Sequence, residues 1–162
     1  MPEDVEIFEM GPRDGLQNEP RLIPAAAKIA LVDLLSQAGF RRIEVTSFVS
    51  PRWVPQMADA AEVMAGITRR PGVHYAALTP NLRGYLAARA ARADEVAIFA
   101  SASEGFSRAN LNATIAESLE MFRPVAEAAL ADGIALRGYV SVVADCPVDG
   151  PTRPGGVGRR VG

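Results

Sequence analysis

Five short segments with strand character, each separated from the next by a stretch of helical periodicity, constrain this chain more than any other feature. Residues 5–10 (VEIFEM) alternate apolar and acidic side chains and stop at Gly11-Pro12, the pattern of a strand closed by a turn. Residues 42–46, 73–78, 95–100 and 134–143 supply four more strands. Between them, residues 25–38 set Leu31, Leu34, Leu35 and Ala38 at i, i+3, i+4 and i+7, one buried helical stripe ended by Gly39. Residues 55–65 form a second helix closed by Gly66, and Thr79-Pro80 opens a third that runs to about Ala91. Thr114-x-x-Glu117 is a capping box for a fourth, with Ile115, Leu119, Phe122 and Ala126 on one side. Pro124 is expected to kink or divide it.

Helical connections between successive strands force parallel pairing, because each crosses a sheet face. An open doubly wound sheet and a (β/α)8 barrel both satisfy that order. The absence of G-x-G-x-x-G after the first strand weakens the dinucleotide-binding version of the former.

The 162 residues suit one domain, and a formal charge of −2 excludes a strongly basic nucleic-acid binder. No apolar run reaches the roughly 18–20 residues of a membrane helix. Met1-Pro2-Glu3-Asp4 lacks the layout of a signal peptide, and one cysteine, Cys146, forbids an internal disulfide. A cytoplasmic globular protein with neither nucleic-acid nor membrane partners is expected. Residues 151–162 (PTRPGGVGRRVG) break the pattern and are expected to be a disordered tail.

In parallel α/β folds, ligands meet the loops that follow the strands. The loop after the first strand gathers Arg13, Asp14, Gln17, Asn18 and Glu19. Arg13 offers a permanently charged planar fork to a carboxylate or an enolate oxygen. Asp14 is a hard oxygen ligand suited to Mg²⁺ or Mn²⁺, and Gln17 can donate to a carbonyl. A plain loop ion pair between Arg13 and Asp14 is the simpler reading of the same residues. Glu44 lies on the second strand, where a carboxylate needs a partner or the strand's end. It is either structural support for an arginine or part of a site with Arg13. His74 sits early in its strand, away from the expected site, and reads as structural or surface. Cys146 has no histidine or second cysteine beside it and reads as a packed or loop thiol. Ser101-Ala102-Ser103-Glu104 reads as turn and cap groups that can also bond a substrate.

GPRDGLQNE at 11–19, IEVTSFVSPRWVPQMAD at 43–59, LTPNLRGY at 78–85 and FASASEGFSRANLN at 99–112 resemble the hydroxymethylglutaryl-CoA lyase family, and GYVSVV at 138–143 with Cys146-Pro147 continues the likeness. The wider group includes Claisen-type acyl-CoA synthases, whose first loop usually continues Glu-Gln where this chain has Leu16-Gln17; the synthase is the alternative activity. The resemblance implies a (β/α)8 TIM barrel, of which about five strands and four helices are present. It implies cleavage of 3-hydroxy-3-methylglutaryl-CoA to acetyl-CoA and acetoacetate with a divalent cation, Mg or Mn. By motif, Asp14 is the metal ligand, Arg13 is catalytic and substrate-binding, Gln17 is substrate-binding, and Glu44 is catalytic by orienting Arg13. The family's later His-x-His pair, ligand Asn and catalytic Cys have no counterpart here. Cys146-Pro147 matches an earlier Cys-Pro of the family, and Val148-Asp149 stands where Tyr-Glu is usual. Residues 1–150 are therefore expected to be the N-terminal part of a barrel catalytic domain, inactive alone or a non-catalytic remnant. Association of copies through exposed barrel edges is expected in turn.

Overall fold

The computed structural model describes residues 5–153 and Val157, arranged in two compact units, Met1–Val96 and Ala97–Gly162.

In the first unit, β1 (Phe8–Glu9), β2 (Arg42–Ser47) and β3 (His74–Leu78) pair in parallel and in chain order. β2 is the centre: Ile43 through Ser47 are all buried, the polar Glu44, Thr46 and Ser47 included, as expected of a strand covered on both faces. Its register with β3 slips by one residue between Glu44 and Thr46. Such a bulge bends the strand and re-aims a side chain, here directly beside Glu44. β1 is shorter than the sequence pattern predicts. Val5 and Ile7, the apolar half of that alternation, are 87% and 65% exposed, so they gain nothing from continuing the ladder.

α1 (Ala25–Gln37) forms where expected but buries a different face: Lys28, Val32 and Ser36, while Leu34 is 64% exposed. The polar members of that face are satisfied. The Lys28 ammonium donates to Asp59 at 2.7 and 2.9 Å and to the Gln56 carbonyl. Ser36 Oγ lies 2.7 Å from the Val32 carbonyl and 3.0 Å from the Tyr75 hydroxyl. Lys28 also explains why residues 55–65 are not one helix. It takes the carbonyl of Gln56, and the segment divides into a 3-10 turn, Pro55–Met57, and α2 (Ala60–Gly66). α3 (Leu82–Ala90) is capped by Asn81, whose side chain accepts from Gly84 N at 3.0 Å, and not by Thr79, which is buried after β3. A side chain at Gly84 would come within 2.8 Å of the Phe48 carbonyl, so only glycine fits there.

At the N-terminal ends of the strands, Arg42 lies over the Phe8 ring at 5.2 Å and donates Nε to Glu95 at 3.2 Å, with Nη2 bonded to the same oxygen. Glu95 holds the Arg42 guanidinium above its ordinary pKa against the opposing effect of burial.

In the second unit β4 (Glu95–Ser101, which begins in the first unit) lies beside β5 (Ala135–Ser141). α4 (Glu104–Leu111) is capped twice, by Ser103 Oγ on Phe106 N at 3.2 Å and by Asp149 on Gly105 N at 2.7 Å. α5 (Ile115–Asp132) opens with the expected capping box and buries Ile115, Ser118, Phe122, Val125 and Ala129; Leu119, expected inside, is 43% exposed. It runs unbroken through Pro124, so the predicted division does not occur. β6 (Asp145–Cys146) and β7 (Gly150–Pro151) form a small antiparallel pair. Thr152 extends it, donating its N–H to the Ala144 carbonyl at 3.1 Å and its hydroxyl to that of Val142 at 2.7 Å. The tail expected from 151 thus begins with paired residues, and apart from Val157 its remainder from 154 lies outside the described residues.

Candidate active site

Glu9, the last residue of β1, pairs in register with Ile43, which places the turn after β1 next to Glu44. Pro12 cannot donate a backbone hydrogen bond, and the chain answers with one wide π-helical turn, Gly11–Gly15. Arg13 N and Asp14 N both donate to the Met10 carbonyl, at 3.1 and 2.7 Å. The turn is braced from outside by Glu9 Oε1 on Gly11 N at 2.6 Å and by Asn18 Nδ2 on the Asp14 carbonyl at 2.8 Å.

This turn drives Arg13 inward. Its residue is 7% exposed and Glu44 is 0% exposed. Arg13 Nε donates to Glu44 Oε1, and Nη1 donates to Asp14 Oδ1 at 2.6 Å. A carboxylate with no exposure is costly unless paired, so Glu44 needs Arg13 as much as Arg13 needs an aimed anchor. Asp14 differs: its side chain is 59% exposed, so it stands at the mouth of the pair. The two simple readings of the sequence both hold geometrically. Arg13 and Asp14 are an ion pair, and Arg13 is also brought to Glu44. Among the described residues nothing bonds Arg13 Nη2, which leaves one guanidinium nitrogen, an NH2 with two donors, without a partner. Gln17 is half-buried one helical turn beyond Asp14, with no side-chain hydrogen bond among the described residues.

For a divalent cation, Asp14 can supply one oxygen. Hard cations take about six ligands, several of them often water. No group of three His, Cys, Asp or Glu suited to a metal occurs among the described residues, so they do not make a complete cation site by themselves.

His74 is exposed at the start of β3, on the strand end opposite Arg13. Cys146 is buried in the second unit, its Sγ 3.0 Å from Ser103 Oγ and facing the N–H groups of Val148 and Asp149 at 3.4 and 3.3 Å. Burial pushes this thiol up, but the Ser103 hydroxyl and those two N–H groups outweigh it and leave its pKa below the usual thiol value. Sequence reasoning missed the Ser103–Cys146 pair and the bracing roles of Asn18 and Gln56, whose Nε2 donates to the Glu19 carbonyl at 2.8 Å. Asn18, four residues after Asp14 in a short helical turn, was the readable one of these.

A family model described as HMGL-like matches residues 4–150. The hydroxymethylglutaryl-CoA lyase of Bos taurus, named mitochondrial, is 56% identical over 94% of this chain and 47% of its own length. The crystal structure of hydroxymethylglutaryl-CoA lyase from Pseudomonas aeruginosa superposes with a TM-score of 0.96 at 56% identity, covering 99% of this chain and 54% of that one. An HMG-CoA lyase from Acinetobacter baumannii, solved with coenzyme A and 3-methylmalate, gives a TM-score of 0.92 at 39% identity, covering 96% of this chain and 50% of that one. The chain thus spans about half the length of the relatives it matches, and its strands and helices are part of a TIM barrel, as the sequence led us to expect. With the family model covering nearly all of it, this chain belongs to the HMGL-like family.

Proposed function

We propose that this chain binds the acyl-CoA thioester of a 3-hydroxy acid, 3-hydroxy-3-methylglutaryl-CoA, and contributes the oxyanion-stabilising part of a carbon–carbon lyase site yielding acetyl-CoA and acetoacetate. The observation that carries this reading is the buried Arg13, fixed by Glu44 and Asp14 with Nη2 unbonded among the described residues.

The chemistry asks for such a group. Removing the proton of the tertiary hydroxyl lets the bond between C2 and C3 break. The released electron pair moves into the thioester, whose oxygen becomes an enolate until C2 takes a proton. A preorganised cation aimed at that oxygen lowers the barrier, and in related sites one such donor is worth about 10²–10³ in rate. Arg13 supplies the cation, and Glu44 holds its fork in place and sets its direction. Gln17 lines the acyl pocket, and Asp14 offers the oxygen for a divalent metal, Mg²⁺ or Mn²⁺. The family is metal-dependent in general, and the metal's chemistry is to polarise the substrate hydroxyl. The remaining metal donors and the base lie outside the residues identified in this chain.

Cytoplasmic location and self-association belong to the same reading. Leu136 on β5 and Val143 just past it, 39% and 48% exposed, support association beside that strand. Cell fractionation and sedimentation test these two points.

Fusing this chain to the C-terminal half of the Pseudomonas relative tests the main one. The fusion is expected to release acetoacetate with Mg²⁺ or Mn²⁺, and Arg13→Lys in it to lower kcat by about 10²-fold or more. Equal turnover with and without that substitution overturns the proposal. The chain by itself is expected to bind the thioester without turning it over.

A further inference from the structure

The most exposed aromatic side chain described in the first unit is Trp53, 86% exposed, in the loop that leaves the C-terminal end of β2. That is the strand of Glu44, and the loop leaves the same strand end at which Arg13 stands. The indole is not on a loose tip. Trp53 N and Val54 N both donate to the Ser50 carbonyl, at 2.9 and 3.1 Å, and Pro51 and Pro55 stiffen the turn on either side. Behind it, Gln56 ties this loop to the loop after β1 through the Glu19 carbonyl, and Lys28 holds Gln56 and Asp59 from below. The rigid turn therefore presents a flat, apolar, fully solvated face at the rim of the site. Arg52, next to it, is exposed and makes no ion pair among the described residues.

We propose that Trp53 and Arg52 form the platform for the nucleotide end of the acyl-CoA, the indole stacking on the purine and the guanidinium meeting a phosphate. This rests on the acyl-CoA reading above and extends it from the acyl group to the far end of the ligand. The chemistry of the two residues selects the occupant. Indole stacks on any base face, and an unpaired arginine beside it complements the phosphates that adjoin the purine in coenzyme A. A purely apolar partner would leave Arg52 unused, and a simple anion would leave the indole unused.

Trp53 is the only tryptophan of the chain, so its emission reports this site alone. The full chain is titrated with coenzyme A, with adenosine 3′,5′-bisphosphate and with pantetheine, following emission and heat. The first two are expected to quench the indole and pantetheine to leave it unchanged. Trp53→Ala should weaken coenzyme A binding about tenfold and Trp53→Phe less than about threefold, since the phenyl ring still stacks. Arg52→Gln should flatten the salt dependence of bisphosphate binding. Truncating so exposed a side chain leaves the fold intact, which circular dichroism checks. Coenzyme A binding with unchanged emission and equal affinity for Trp53→Ala overturns this proposal while the acyl-CoA reading stands. Absence of any coenzyme A binding overturns both. An emission shift that follows protein concentration without ligand places Trp53 between copies of the chain and also overturns it.

Discussion

Two arginine–glutamate pairs sit at opposite strand ends of the first unit, and they differ in how the arginine is engaged. At the N-terminal end, the Arg42 fork is fully engaged: Nε and Nη2 on Glu95, Nη1 3.5 Å from Glu6, and the Phe8 ring beneath. Each of the three nitrogens faces a carboxylate, and the arrangement reads as a lock on β1, β2 and the start of β4. At the C-terminal end, Arg13 spends Nε on a carboxylate with no exposure and Nη1 on a half-open one, and keeps Nη2. The lesson is that residue types alone do not distinguish a structural pair from a chemical one. On the proposed function, the nitrogen left without a partner, and the strand end at which it is left, separate the two.

Breaking each pair separates the roles. Glu44→Ala removes the buried partner of Arg13, leaves it only the half-open Asp14, and should cost about 3 kcal/mol or more in denaturant unfolding. Arg13→Met with Glu44→Met should recover most of that loss, because an apolar pair of similar volume removes both desolvation costs. Arg13→Lys keeps the charge but loses the fork. It should leave the melting temperature nearly unchanged while weakening thioester binding about tenfold or more by calorimetry. Arg42→Met should do the reverse, costing about 1–3 kcal/mol of stability by removing the hydrogen bonds to Glu95. Its acyl-CoA affinity should stay unchanged. An Arg42 variant that loses ligand binding without losing stability would erase the contrast between the two ends.

The smallest expected effect is at the capping box of α5. Thr114 N–H and then its hydroxyl hold the Glu117 carboxyl below the usual range. A carboxylate depressed by folding stabilises above its unfolded pKa and loses that contribution as pH falls through its folded value. The melting difference between the chain and Glu117→Gln should therefore be present at pH 7 and fade in acid.

What the sequence made legible follows the same physics. The strand–helix alternation, the capping box and the adjacency of Arg13 and Asp14 could be read because each depends on local pattern or on one recognisable loop, and the nearness of Glu44 to Arg13 followed only once the strands were taken as parallel neighbours. The buried face of α1 could not, because its inward residues include Lys28 and Ser36, and only the tertiary partners Asp59, Gln56 and Tyr75 make them affordable inside. Asn81 displaced Thr79 as a cap because Thr79 was already needed in the core at the end of β3. α4 went unread beside its serines, and its second cap, Asp149, lies 44 residues from Gly105, beyond any local window. The π-helical turn at Pro12 was read as plain loop, although it is what turns Arg13 toward Glu44.

The spare Nη2 of Arg13 can be tested on this chain without turnover. Affinity is measured for a pair of coenzyme A analogues, one bearing the thioester carbonyl and one with a methylene in its place, against the unaltered chain and Arg13→Lys. The account predicts that the carbonyl adds about tenfold or more to binding in the unaltered chain, the worth of a hydrogen bond to a charged donor, and nothing in the lysine variant. The same carbonyl preference in both proteins would contradict it.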